Sequence, residues 1–87
     1  MGFSRAKFQS LPTRAQAKKC ADLLRVILLR LGADWKRAID EYNTLSAWYT
    51  GLSIPNAPQT LNAQHLNYHN LLELYRQWRS LAGLGAE

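Results

Sequence analysis

The sequence predicts an all-α fold, a small three-helix bundle preceded by a basic N-terminal arm. Three observations carry that reading. Apolar residues recur at helical spacing in three stretches. Glycine, proline and capping residues punctuate the chain between them. No segment alternates apolar and polar residues over a useful length, so no sheet is expected. An 87-residue chain is one domain, read here as an arm over residues 1–11 and a helical domain over 12–87.

The arm, MGFSRAKFQSL, has no sustained period; it is basic and holds both phenylalanines. Pro12 and the pair Thr13 and Gln16, spaced as in a capping box, then open the first helix, which runs to Leu31. At about 100° per residue, Ala17, Cys20, Leu23, Leu24, Ile27, Leu28 and Leu31 share one face. Gly32 suits the position after a helix end and Asp34 suits an N-cap, so a tight turn leads into a second helix over 34–51. Its apolar face is Trp35, Ala38, Ile39, Tyr42, Leu45, Tyr49 and Leu52, and Gly51 ends it. Residues 52–59, with two prolines, read as a loop. Thr60 caps a third helix reaching residue 82, with Leu61, Tyr68, Leu71, Leu72, Leu74, Tyr75, Trp78 and Leu81 facing the core and Gly83 and Gly85 stopping it.

Charge is divided unevenly along the chain. Arg5, Lys7, Arg14, Lys18, Lys19, Arg25, Arg30, Lys36 and Arg37 all precede residue 38 and face only Asp22 and Asp34, a local charge of +7. The remaining fifty residues carry −2. A split of this kind marks a surface that meets something acidic: nucleic acid, an acidic protein or an anionic membrane. Arg14, Lys18 and Arg25 line one face of the first helix, with Lys19 at its edge, and Arg5 and Lys7 extend the basic surface along the arm. Lys36 and Arg37 open the second helix, where a helix-turn-helix unit would place base-reading residues. Asp34, Asp40 and Glu41 on that helix argue against it.

Three apolar residues fall outside the core faces. Val26 and Leu29 intrude into the basic face of the first helix, exposed unless Phe3 or Phe8 covers them. Trp48 falls beside Arg37, Glu41 and Thr44, as an interface anchor would, or as a residue covered by the loop or arm would. His65, His69 and Glu73 stand at i, i+4 and i+8. That spacing can chelate a metal, but it also suits the polar stripe of a helix, and Arg76 on the same stripe disfavours a cation. No metal or other cofactor is therefore expected.

Composition excludes several classes. A hydrophobic fraction of 47% with three Trp excludes global disorder. Cys20, the one cysteine, precludes an internal disulfide, fits a reducing, cytoplasmic setting and falls on an apolar face. The apolar run over 21–31 is broken by Asp22, Arg25 and Arg30 and is too short and too charged to span a bilayer. Glycine-rich phosphate loops, nucleophile elbows and supported carboxylate pairs are missing, so no enzyme is expected.

The leading expectation is a small basic protein-binding protein, of accessory, regulatory or inhibitor type. It would self-associate or dock on a larger, possibly nucleoprotein, assembly, with Val26, Leu29 and Trp48 at the interface. A chain this small buries only about 60% of its unfolded surface, which favours a partner. The alternative is direct DNA or RNA binding, directed to the phosphate backbone through Arg5, Lys7, Arg14, Lys18, Lys19, Arg25, Lys36 and Arg37. A third reading lays Phe3, Arg5, Lys7 and Phe8 on an anionic membrane.

Overall fold

A computed structural model describes residues 4–50, 54 and 56–85. These residues form an all-α bundle: α1 over Arg5–Ser10, α2 over Thr13–Leu31, α3 over Trp35–Thr50, a 3-10 turn over Ala63–His65 and α4 over Tyr68–Leu81. Residues Phe3, Gly51, Leu52 and Pro55, which the sequence placed in the arm, at the end of the second helix and in the loop, lie outside the described set.

Within the N-terminal arm, Arg5–Ser10 forms a helix, α1, that the lack of a sustained period did not predict. Ser4 caps it by accepting from the Lys7 amide at 3.2 Å, and Ser10 Oγ donates to the Lys7 carbonyl. Pro12 ends it, because the residue before a proline is pushed to extended backbone, as Leu11 is at ψ 148°. Six residues would not hold a helix alone. Packing does: Phe8 is fully buried, with its ring centroid 5.8 Å from that of Trp48.

The capping box at Thr13 does not form. Pro12 stands at the cap and its carbonyl accepts from the Gln16 amide at 2.8 Å. The Gln16 side chain instead reaches back to the Phe8 carbonyl at 3.2 Å, tying α1 to the start of α2. Along α2, Ala17, Cys20, Ala21, Leu24, Ile27, Leu28 and Leu31 are buried, and Arg14, Lys18, Asp22 and Arg25 are exposed.

The tight turn is as expected in place but not in mechanism. Gly32 has φ −80°, ordinary right-handed backbone, and a Cβ there would meet nothing. The turn is closed by Ala33 and Asp34 amides donating to the Arg30 carbonyl, and Asp34 Oδ1 caps α3 by accepting from the Arg37 amide at 3.2 Å. α3 then buries Ala38, Glu41, Tyr42, Leu45, Trp48 and Tyr49.

The third predicted helix begins seven residues later than expected, capped at Asn67 rather than Thr60. The Leu61 amide donates to the Tyr42 hydroxyl at 2.7 Å, which pins the connecting chain across α3. The 3-10 turn follows, and the true cap is Asn67, whose side chain accepts from the Asn70 amide at 2.9 Å. Ile54 and Leu66 are buried along this connection. α4 ends as predicted at Gly83, in the left-handed region at φ 78°. Gly83 donates to the Ser80 carbonyl and Leu84 to that of Arg79, the paired bonds of a Schellman end.

α2 is the central element. It forms a hairpin with α3 through the tight turn. It also runs antiparallel to α4: Arg14 near its start donates from Nε to the Ala82 carbonyl at 2.9 Å, while Leu29 near its end shares a groove with Tyr68. α1 packs where α2 starts and α3 ends.

An apolar groove with a cationic rim

The sequence singled out three apolar anchors, and the structure separates them. Leu29 is 74% exposed and Val26 40% exposed, one turn apart on α2. Phe8 does not cover them, because it is committed to Trp48. Trp48 is buried against Phe8 of the N-terminal segment, the cover that the sequence offered as the alternative to an interface position, so it leaves the set of interface anchors: α1 supplies a fourth packing surface and widens the apolar face of α3.

Two further aromatics, expected in the core, are exposed instead. Trp35 is 51% and Tyr68 58% exposed. Each is the first residue of its helix. Side chains on a helix lean toward its N-terminus, so at the first position they lean past the end of the bundle.

Tyr68 and Leu29 meet across a groove between α2 and α4. Its lining is Arg25, Leu28 and Leu29 from α2 and Tyr68, Leu72 and Tyr75 from α4, around a cavity of 210 Å³. Leu28 and Tyr75 are buried and form the floor; Leu72 is half-buried. The antiparallel run of the two helices sets these residues opposite one another.

The eight candidate cations do not make one face. Arg5 and Lys7 are exposed on α1, at the end of the bundle where α2 starts. Lys36 and Arg37 open α3 at the opposite end, and Arg37 lies 3.8 Å from Glu41 Oε1. Arg14 is held on the Ala82 carbonyl with its guanidinium across Gly83. Lys18 pairs with Asp22 at 3.5 Å, and Lys19 is half-buried with an interaction of its own. Arg25 is exposed in the groove lining, with no carboxylate partner among the described residues.

The remaining polar features are structural. Glu41 is buried, accepts from Arg30 Nη1 at 2.5 Å and so bridges α3 to α2. Burial raises the Cys20 thiol from 9.0 to about 12, which leaves it protonated and unreactive at neutral pH. Burial, and then the hydrogen bond with Tyr42, likewise push the Tyr49 hydroxyl well above its usual range. His65 lies in the 3-10 turn with Nδ1 2.6 Å from Asn62 Oδ1, and His69 lies on α4, so the two do not share a helical stripe. Among the described residues no group of three or more His, Cys, Asp or Glu side chains is placed to hold a metal ion. No helix of the described residues is long and apolar enough to cross a membrane.

Tyr68 was legible only through its cap. Asn67 followed by Asn70 marks a helix start, which would have moved Tyr68 from the core to the rim. No family model, curated protein or solved structure matches the chain.

Proposed function

We propose that the chain is a protein-binding module that acts through the groove between α2 and α4. One observation carries this reading: Leu29 and Tyr68, two of the most exposed large apolar side chains among the described residues, line the same groove over a buried floor. Scattered exposed leucines are ordinary on a protein surface; adjoining ones over an apolar floor form a patch that gains by being covered. The cavity is smaller than the roughly 300–1,000 Å³ typical of small-molecule sites, which favours a protein side chain as its occupant.

Substitution of Leu29 by Asp tests it. Affinity capture with the full chain should retain a stable set of partners that Leu29→Asp loses and Asn56→Asp keeps. Both variants should keep the wild-type helical signal. Identical capture by all three proteins would contradict the reading.

A second reading is phosphate-backbone binding to nucleic acid. Its supporting observation is that Arg5, Lys7, Arg25 and Lys36 are exposed without a carboxylate partner among the described residues. Their spread over both ends of the bundle favours the protein-binding reading. Fluorescence anisotropy with labelled duplex and single-stranded oligonucleotides, repeated over a salt series, separates the two. Tight binding that falls steeply with salt would put nucleic acid first.

A further inference from the structure

We infer that the occupant of the groove is an acidic amphipathic helix of a partner protein, rather than a second copy of this chain. The inference rests on the protein-binding reading above and names the partner's chemistry.

Shape is the first support. The groove runs between two antiparallel helices, from Arg25 to Leu29 on α2 and from Tyr75 to Tyr68 on α4. The seven steps from Tyr68 to Tyr75 on α4 span about 10 Å at 1.5 Å per residue. A docked helix presents successive anchors, three or four residues apart, about 5–6 Å from one another. Two such anchors fit that length. The buried floor and the exposed walls, Leu29 and Tyr68, match the helix-in-groove mode of recognition.

Charge is the second. Arg25 belongs to the lining and has no carboxylate partner among the described residues. Arg76 is exposed on α4 one turn from Leu72. Among the described residues no carboxylate is paired with Arg25 or Arg76. Asp22 is held by Lys18 at 3.5 Å, Glu73 lines a separate cavity with Gln59, Leu61 and Gln77, and Glu41 is bonded to Arg30. Glutamates flanking the apolar stripe of a partner helix would therefore meet unopposed cations. A second copy seated on this face would bring a second Arg25 into the interface, and the groove lining holds no carboxylate to offset the pair, which disfavours self-pairing.

The test is an NMR titration of the full ¹⁵N-labelled chain. The probe is a 16-residue helical peptide with leucines at i, i+4 and i+7 and glutamates on both flanks; the control carries lysines in place of the glutamates. The acidic peptide should shift amides of residues 25–29 and 68–75 at micromolar to millimolar concentrations. Arg25→Glu should weaken it at least tenfold, and the lysine peptide should bind at least tenfold more weakly than the acidic one. Equal binding of both peptides would overturn the inference. Shifts in the same residues on raising the protein concentration alone would overturn it in favour of a second copy and leave the protein-binding reading standing. No response of these residues to either peptide or to concentration would overturn the inference, while the protein-binding reading stands or falls with the capture experiment.

Discussion

The rings of Phe8 and Trp48 meet with planes tilted 41° to one another, and through this pair the six-residue α1 becomes part of the core. Phe8→Ala should then cost about 3 kcal/mol, the usual result of emptying a fully buried aromatic site. Trp48→Ala should also destabilise by several kcal/mol rather than act on binding alone. Urea unfolding checks both. A loss under about 1 kcal/mol for Phe8→Ala would mean that α1 does not pack as described.

Much of this arrangement was legible in the sequence, and the failures have physical causes. The core face of α2 follows from residue spacing almost unchanged, because a 19-residue helix keeps its phase. α1 was missed because six residues show less than two full turns of pattern, and its helix depends on Phe8 finding Trp48. The start of α4 was missed because Tyr42 binds the Leu61 amide from nineteen residues away, a contact that no local signal reports. Val26 and Leu29 were placed correctly as exposed. Tyr68, across the groove from Leu29, was hidden by the wrong helix start.

Arg30 and Arg37 both approach Glu41, and they should contribute unequally. The Arg30 contact is short and partly shielded, whereas Arg37 is well exposed at 3.8 Å. Arg30→Ala should cost about 1–3 kcal/mol, since it leaves a buried carboxylate short of its main partner. Arg37→Ala should cost under about 0.5 kcal/mol, as exposed ion pairs do. Equal losses in denaturant titration would contradict this division.

The glycines separate in the same way. Gly32 uses no left-handed backbone and has open space at its Cβ, so Gly32→Ala should stabilise by about 0.4–1 kcal/mol through a less flexible unfolded chain. Gly83 has φ 78° and an Arg14 guanidinium where a Cβ would stand. Gly83→Ala should cost more than about 1 kcal/mol. Thermal melts of the two variants should move in opposite directions.

Alkaline pH should destabilise the protein. Cys20 titrates near 9.0 when solvated and about 12 when folded, so folding favours the protonated thiol. That contribution is intact below pH 9 and is lost as pH rises toward 12. Tyr49, also raised by burial, adds in the same direction. Stability measured in denaturant should fall between pH 9 and 12, and Cys20→Ala should lessen the slope. A flat profile across that window would show that these groups are not buried as described.

The account turns on the groove between Leu29 and Tyr68. The most direct measurement is photo-crosslinking in the cells that make the protein, with benzoylphenylalanine placed singly at position 68 or, as a control, at exposed position 56. The account predicts a discrete protein adduct from position 68, lost when Leu29→Asp is added, and none from position 56. Adducts of equal yield at both positions, or none at 68, would contradict it.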